Sequence, residues 1–428
     1  MNAPTPTLLQ PDSSPLRDIA VFLFDRLAAE TSDGVGITRE CYARGEDVAL
    51  DLFRSVAHAH GLKTDTDPAG NMLVLAQSDD GIQPALYIGS HADSVPQGGN
   101  FDGAAGVVAG LLCLIRAGRE TKAAPHPIRL VALRAEESAY YGRANIGSRA
   151  LFGMLDAQDL ATRRQGEGRT LAQAMTAAGI DVAPIARQER LLDPTRTLGY
   201  LELHIEQGPV MAARGLPIAI VTGIRGNIRH RNITCRGEAG HSGAVPRWLR
   251  KDPVFAFADL IMRLDEHWRT LQERGLDLVV TSGIVATDPK EHAISRIPGE
   301  IAFSFEVRSQ SHDTLEAFYE LFRSECRAIS SQRSVAFSFD DRIYTEAARM
   351  DERMIGRLSE ATRQAGLPVE RAPSGAGHDA AIFAAAGVPS GMLFVRNTHG
   401  SHNPAEAMDI DDFMKGVDIL YAAATGSL

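Results

Sequence analysis

The residues with the clearest chemical potential are a histidine and carboxylates near the end of a predicted strand. His91 follows an apolar run at 85–88 that is typical of a buried strand, and Asp102 precedes a small-residue helix pattern. Ligands of open α/β sheets bind outside the carboxyl ends of the strands. His91 can supply a nitrogen ligand, and Asp102 a carboxylate able to bridge two cations. Asp93 is well placed to accept the second N–H of the His91 imidazole.

Three further candidate ligands follow other predicted strands, namely Glu137 after the strand at 127–133, and later His204 and His402. Three imidazoles and two carboxylates suit Zn²⁺, Mn²⁺ or Co²⁺ better than Ca²⁺, which prefers oxygen ligands. Glu136, beside Glu137, is the candidate base for a water activated by two ions. Each residue alone has an ordinary explanation, such as a loop histidine, a helix-capping aspartate or a solvated glutamate pair. Their combination favours a metal centre.

Length and composition narrow the class of protein. The chain has 428 residues, of which 44% are hydrophobic and 23% charged, so we expect two soluble globular domains. The net charge of −10 and the lack of a basic block argue against a nucleic-acid partner. No apolar run is long enough for a membrane span, and no signal peptide is predicted. The four scattered cysteines indicate reduced thiols of a cytoplasmic protein.

The order of the predicted elements indicates an α/β fold with an insertion. Strands alternate with helices up to residue 223, which favours a mostly parallel, mixed sheet. Residues 224–340 follow the order β-α-β-β-α-β of a ferredoxin-like unit. We therefore predict that 1–223 and 341–428 form one metallohydrolase domain into which 224–340 is inserted. One continuous large sheet is the alternative, and it is disfavoured because candidate ligands resume only after the insertion.

Five motifs are spread through nearly the whole chain after residue 15. They are GSHxDxVPxGGxFDG at 89–103, ELHIEQGP at 202–209, GEAxHxG at 237–243, SGAGHDA at 374–380 and SHNP at 401–404. Together they resemble the M20 metallopeptidase superfamily. Within it they resemble the carbamoylase branch, which comprises N-carbamoyl-L-amino-acid hydrolases, allantoate amidohydrolases and β-ureidopropionases.

The resemblance implies a site for two divalent ions bridged by Asp102. It implies that His91 and His204 hold one ion, and that Glu137 and His402 hold the other. The nature of the ions, Zn²⁺, Mn²⁺ or Co²⁺, is left open.

The resemblance also implies catalytic roles and an assembly. Glu136 is expected to act as general base and then as acid to the leaving amine, and His241 to stabilise the oxyanion. In several relatives this histidine comes from the partner subunit. The inserted domain is expected to be a lid and dimerisation domain, so we expect a homodimer.

Substrate contacts are expected from Arg308, which ends a predicted strand with one apolar face. Its planar guanidinium matches a carboxylate through two parallel hydrogen bonds, whereas a structural ion pair with Glu306 is the alternative. His378 either faces the site or caps the following helix. Further candidate contacts are Gln207, Asn227, Ser295 and His378. Ser295 stands where the family usually has Asn, Glu306 where it has Asp, and Gly240 where Asp or Asn is commoner, which leaves the substrate open.

The sequence therefore predicts a metal-dependent amidohydrolase. Its target is a linear carbamoyl, ureido or related amide C–N bond of a small carboxylate-bearing molecule. The alternatives are an N-acyl-amino-acid hydrolase or a dipeptidase of the same superfamily. A non-catalytic binding protein is disfavoured, because Glu136 and all five ligands are present.

Overall fold

The computed structural model describes residues 14–120, 124–164, 166 and 168–426. The helices of these residues are α1 (Leu16–Thr31), α2 (Arg44–Ala59), α3 (Ala104–Arg119), α4 (Ile146–Leu151), α5 (Ala157–Ala161), α6 (Leu171–Ala177), α7 (Val182–Ala186), α8 (Val210–Arg214), α9 (Pro253–Glu273), α10 (His312–Arg333), α11 (Glu352–Gln364), α12 (Asp379–Ala385) and α13 (Ile410–Thr425).

The strands of the same residues are β1 (Leu62–Thr66), β2 (Met72–Ala76), β3 (Ala85–His91), β4 (Ile128–Leu133), β5 (Thr197–Ile205), β6 (Ile218–Ile224), β7 (Gly226–Arg236), β8 (Gly240–His241), β9 (Val279–Thr281), β10 (Val285–Ala286), β11 (Arg296–Ile297), β12 (Glu300–Ser309), β13 (Ala336–Ser338), β14 (Ile343–Thr345), β15 (Ala348–Arg349), β16 (Arg371–Ser374), β17 (Ser390–Val395), β18 (Asn397–Thr398) and β19 (Ala407–Met408).

The chain folds into two compact units. The described residues up to Thr222 and from Arg349 onwards form the first unit, and Gly223–Ala348 forms the second. The boundary predicted at residue 340 is too early, because β14 still pairs with β7 in the antiparallel sheet of the second unit.

The first unit is built on a mixed sheet with the strand order β1-β2-β4-β3-β5-β17-β6-β15, and β16 also pairs with β6. Strands β4, β3, β5 and β17 run parallel at its centre, while β1, β2 and β6 run antiparallel to their neighbours. Every residue of β3 and β4 is buried, as expected for strands covered on both faces. The predicted α/β fold with a mostly parallel sheet is confirmed.

Helix α3 packs directly on this sheet because its small residues let the backbones approach. A Cβ at Gly106 would overlap the carbonyl oxygen of Leu203 and the side chain of Ser90. A Cβ at Gly110 would press on Leu130 and Ile88. This close packing holds the start of α3 against the strand ends that carry the candidate ligands.

The second unit has an antiparallel sheet with the order β10-β12-β7-β13, in which β14 also pairs with β7 and β9 with β12. Along β12 buried and half-buried residues alternate, as a strand with one covered face requires. The buried face and the helices α9 and α10 share one apolar core. In that core the rings of Phe305 and Phe322 are stacked with centroids 3.9 Å apart.

Two further observations concern the helices and the cysteines. Among the described helices none combines the length and the apolar character that crossing a membrane requires. All four cysteines are buried and form no disulfide: Cys41, Cys113, Cys235 and Cys326.

We predict that Phe322→Ala destabilises the second unit. The side chain is fully buried and stacked, so its loss should cost about 3–5 kcal/mol. Both tryptophans, Trp248 and Trp268, lie in this unit, so urea unfolding followed by tryptophan fluorescence measures it directly. Phe255→Ala is the matched control, because Phe255 is 59% exposed and its loss should leave the midpoint nearly unchanged. Equal midpoints for the two variants would contradict the prediction.

Candidate metal centre

The five candidate ligands meet at one edge of the first unit's sheet. His91 is the last residue of β3 and His204 lies near the end of β5, and these two parallel strands are neighbours. The other three candidate ligands lie in loops. Asp102 is in the loop between β3 and α3, Glu137 in the loop after β4, and His402 in the loop between β18 and β19. Residues far apart in sequence therefore converge where the strand directions predict a ligand site.

Asp102 is shared between two groups of ligands. Its Oδ1 lies 3.6 Å from His91 Nε2 and 3.1 Å from His204 Nε2. Its Oδ2 lies 3.3 Å from His402 Nε2, which is 3.2 Å from Glu137 Oε1. The five residues thus form two groups of three, each able to hold a metal ion, with one carboxylate in common.

The spacing and the protonation of these atoms fit metal ions. A tetrahedral ion with bonds of about 2.0–2.1 Å keeps its ligand atoms about 3.3–3.4 Å apart, close to the distances above. His204 Nδ1 lies 2.9 Å from the carbonyl oxygen of Ile205, so a neutral ring holds its proton there and turns the Nε2 lone pair towards Asp102. Asp102 Oδ1 is buried and has no hydrogen-bond donor among the described residues. The lone pairs of His204 Nε2 and Asp102 Oδ1 therefore face one another, an arrangement that a cation between them stabilises.

The electrostatics of the cluster favour positive charge. Burial alone would lower the pKa of His91, but the neighbouring carboxylates of Asp102 and Asp93 hold it well above the usual value. Hydrogen bonds to Asp102 and Glu137 raise the pKa of His402 to about 10. The Asp102 pKa is held well below its usual range by the three imidazoles, although burial acts in the opposite direction. Protons or metal ions can supply the charge that these acids favour.

Asp93 orients three residues of the site at once. His91 Nδ1 lies 3.4 Å from its Oδ1 and 3.2 Å from its carbonyl oxygen. Its Oδ1 and Oδ2 also accept the backbone N–H groups of Glu136 and Glu137, each at 3.0 Å. The two backbone bonds join residues more than forty positions apart, and no motif in the sequence predicted them.

Glu136 lies beside the cluster but belongs to neither ligand group. Its Oε2 is 4.0 Å from His91 Nε2, and its Oε1 accepts a hydrogen bond from Asn145 Nδ2 at 2.9 Å. Burial raises the pKa of the Glu136 carboxyl well above its usual value, and the neighbouring Glu137 adds to this effect. Such a carboxyl can hold and release a proton next to the metal ligands.

The side-chain contacts that hold Asp102 in place were not predicted from the sequence. Gln207, predicted to contact substrate, donates from Nε2 to Asp102 Oδ2 at 2.8 Å. The same oxygen accepts a hydrogen bond from the Ser401 hydroxyl at 2.5 Å, and Ser401 Oγ also lies 2.6 Å from Glu406 Oε2. Glu406 Oε1 accepts the backbone N–H of Asp102 at 3.1 Å. The SHNP motif was a signal for Ser401, whereas nothing in the sequence pointed to Glu406.

Arg39 is a fully buried cation next to residues 92–102, the loop between β3 and α3 that is called the ligand loop below. Its Nε donates to the carbonyl oxygen of Ala92 at 2.9 Å, and its Nη2 to that of Asp102 at 3.3 Å. Burial lowers its pKa, while the charges of Glu406 and Asp102 oppose that shift. The arginine therefore joins both ends of the ligand loop and balances part of its negative charge.

His378 is the N-cap residue of α12, but its side chain makes no capping hydrogen bond. Its Nε2 lies 2.8 Å from the Ser374 hydroxyl, and its ring meets that of His204 edge-on at 4.4 Å. Burial lowers the pKa of His378 well below the usual value, so the ring is neutral. With Glu202 and His204 it forms a further group of potential ligands on the inner side of the site.

Two predicted residues lie in a short ribbon of the second unit. His241 of β8 is paired with Arg296 of β11, and its Nδ1 accepts the backbone N–H of Gly243 at 3.1 Å. A neutral His241 ring therefore carries its proton on Nε2, as a donor. The carbonyl oxygen of Ser295 accepts the backbone N–H of Ser242 at 2.8 Å, which joins both predicted residues to this ribbon.

Two more predicted residues lie together on the sheet of the second unit. Asn227 of β7 is the register partner of Arg308 of β12, so their side chains share a face. Asn227 is buried, and its Oδ1 has no hydrogen-bond partner among the described residues. Arg308 pairs with Glu306 at 3.1 Å, which is the structural ion pair considered as the alternative.

Comparison with known proteins identifies the family of this chain. The sequence description of Peptidase family M20/M25/M40 matches residues 87–426. The chain belongs to this family. It is 35% identical to the N-carbamoyl-L-amino acid amidohydrolase of Geobacillus stearothermophilus, over 90% of this chain and 92% of the relative. It is 30% identical to the allantoate amidohydrolase of Escherichia coli K12, over 90% and 91% of the two chains.

Solved structures extend the match to three dimensions. A hydantoinase/carbamoylase family amidase from Burkholderia ambifaria has a TM-score of 0.84 and 28% identity, covering 96% of this chain and 98% of that one. The family resemblance inferred from the motifs is confirmed, and with it the prediction that the chain is an amidohydrolase.

We predict that Gly103→Ala weakens metal binding. Gly103 has φ +65°, which an L side chain rarely adopts, and an added Cβ would overlap the His91 imidazole. The ring should shift away from Asp102 and release the ion of that group, as measured by metal content after dialysis. Gly118→Ala is the control, since it lies in α3, where a Cβ meets nothing within 4 Å. Full metal content in Gly103→Ala would contradict the prediction.

Proposed function

We propose that the protein hydrolyses the carbamoyl C–N bond of N-carbamoyl-L-amino acids or of related ureido acids such as allantoate. The observation that carries the proposal is the position of Asp102, whose two oxygens face two separate ligand groups, with Glu136 beside them and in neither. The names of the relatives, a carbamoyl amino acid amidohydrolase and an allantoate amidohydrolase, support this substrate class.

The proposed cofactor is a pair of divalent ions, Zn²⁺, Mn²⁺ or Co²⁺. One ion would be held by His91 and His204, and the other by Glu137 and His402. Asp102 would be a ligand of both ions. When bound, such ions polarise an amide carbonyl and make water more acidic. The side chain of His402 is 49% exposed, so its group can be reached from solvent.

In the proposed reaction Glu136 moves the proton. It accepts one from the attacking water, whose oxygen bonds to the carbamoyl carbon, and then gives it to the leaving nitrogen as the C–N bond breaks. The products are the amine and carbamic acid. His241, with its proton on Nε2, donates to the oxygen that becomes negative in the transition state. Asp93 keeps the backbone of Glu136 in place throughout.

The carboxylate of the substrate is assigned to Arg308, with Asn227 as a neighbouring donor from its carboxamide. Arg308 lies on the half-exposed face of β12 and is paired with Glu306. A substrate carboxylate can replace Glu306 in part of its contact with the guanidinium. Gln207, Ser295 and His378 are proposed as further contacts.

We also propose that the second unit is a ferredoxin-like lid and dimerisation domain and that the protein is a cytoplasmic homodimer. The order of its strands and helices supports the fold. Exposed apolar side chains on α9, Phe255 at 59% and Met262 at 69%, support an association surface. The free, buried cysteines suit a reducing compartment. A sedimentation mass of a single chain at assay concentration would contradict the dimer, and a secreted fraction would contradict the compartment.

We predict that Glu136→Gln retains metal but loses turnover by about 10²–10⁴-fold, because glutamine keeps the shape and cannot carry the proton. Glu137→Gln is the matched variant on the neighbouring residue. It should instead lower the metal content, because it removes a ligand atom. Metal analysis and kcat measured on both variants separate the two roles, and near-normal turnover in Glu136→Gln would exclude it as the base.

A substrate panel tests the reaction class. N-carbamoyl-L-methionine, allantoate, N-acetyl-L-methionine and L-alanyl-L-methionine are compared with Mn²⁺, Zn²⁺ and Co²⁺. The proposal expects the highest kcat/KM on a carbamoyl or ureido acid. Faster hydrolysis of the acetyl compound or the dipeptide would favour the rival function of an acylase or dipeptidase in the same superfamily.

The same panel tests Arg308. We predict that Arg308→Lys lowers kcat/KM for N-carbamoyl-L-methionine far more than for its carboxamide, because lysine cannot form two parallel bonds to a carboxylate. Equal losses on the acid and the amide would mean that Arg308 only pairs with Glu306.

A further inference from the structure

A buried asparagine lies next to the Glu136 carboxylate. Asn145 Nδ2 donates to Glu136 Oε1 at 2.9 Å and to Asp379 Oδ1 at 3.2 Å. Both neighbours are carboxylate oxygens, so the nitrogen and not the oxygen of the amide must face them. Its two hydrogens allow one bond to each. None of the metal-site motifs includes Asn145.

The backbone around Asn145 fixes the direction of this side chain. The residue directly before α4 is Asn145 itself, in the left-handed conformation with φ 59°, which asparagine tolerates better than most residues. Its backbone N–H donates to the carbonyl oxygen of Glu136 at 2.8 Å. Main chain and side chain of one residue therefore both bind Glu136.

The far side of the amide is held by a second buried acid. Asp379 Oδ1 accepts from Asn145 and also from the Ser148 hydroxyl, the latter at 2.5 Å. Ser148 belongs to α4 and Asp379 begins α12, so the amide is held between two helices. It has little freedom to turn away from Glu136.

The two oxygens of Glu136 differ as a result. Oε1 is occupied by the Asn145 amide, whereas Oε2 is 4.0 Å from His91 Nε2 on the side of the metal ligands. We propose that Asn145 is a positioning residue that holds Oε1 so that Oε2 is the oxygen that takes and returns the proton. The inference rests on the proposed role of Glu136 as the base.

The test compares Asn145→Gly with Asn145→Ala. Both remove the amide, but glycine adopts the left-handed conformation without strain, so Asn145→Gly should recover thermal stability relative to Asn145→Ala. It should not recover kcat, which we expect to fall by about 10-fold to 100-fold in both variants with KM and metal content unchanged. A purely structural role predicts the opposite, namely that kcat returns along with stability.

Asn71→Ala is the matched control. Asn71 is also a buried asparagine. It donates to the Gly147 carbonyl oxygen of α4 and accepts the backbone N–H of Arg134, and it has no hydrogen bond to Glu136. It should lose stability while kcat stays within about threefold of the parent. A loss of kcat as large as that of Asn145→Gly would show that any disturbance near α4 suffices, and would overturn the inference.

A double-mutant cycle separates this inference from the proposed function. In the Glu136→Gln background, Asn145→Gly should cause no further loss, because the group it positions is gone. If Glu136→Gln is inactive and Asn145→Gly is fully active, the inference alone fails. If Glu136→Gln is fully active, the proposed function fails as well.

A readout without substrate completes the test. In a crystal structure of Asn145→Gly, the Glu136 carboxylate should leave its present rotamer or show two. An unchanged carboxylate would overturn the inference whatever the substrate proves to be.

Discussion

The rest of the structure depends on the buried negative charge that gathers at the carboxyl ends of the central parallel strands. Asp102 faces three imidazoles, and Glu136, Glu137 and Asp93 lie within the same few ångströms. Carboxylates in such a place are stable only when paired with cations or with many hydrogen-bond donors. The cluster therefore favours positive charge, which is the physical reason that it is a candidate metal centre.

The residues around the cluster stabilise its negative charge and its geometry in different ways. Arg39 contributes a buried charge and bonds the carbonyl oxygens at both ends of the ligand loop. Asp93 receives two backbone N–H groups, and Glu406 anchors the backbone of Asp102. These contacts engage the main chain or the far side of the candidate ligands, and not the side-chain atoms that face one another within the two ligand groups.

The two units carry different kinds of chemistry. The first unit contains every candidate ligand and the candidate base Glu136, on strand ends and in the loops that follow them. The second contains polar groups suited to recognition, namely the Nε2 donor of His241 and the paired Asn227 and Arg308. The candidate ligands and the candidate recognition groups are therefore carried by different units.

The sequence by itself determined the family and indicated the candidate ligands, because the motifs and the strand patterns that precede these histidines and acids are local features of the chain. It also indicated the parallel sheet and the inserted segment. Only the tertiary structure decided which oxygen of Asp102 faces which ligand group. It also decided that the His378 side chain packs against His204 and makes no capping hydrogen bond, and that Asn145 binds Glu136. These are contacts between distant segments, set by how α4, α12 and the strands pack, and no local pattern in the chain encodes such packing.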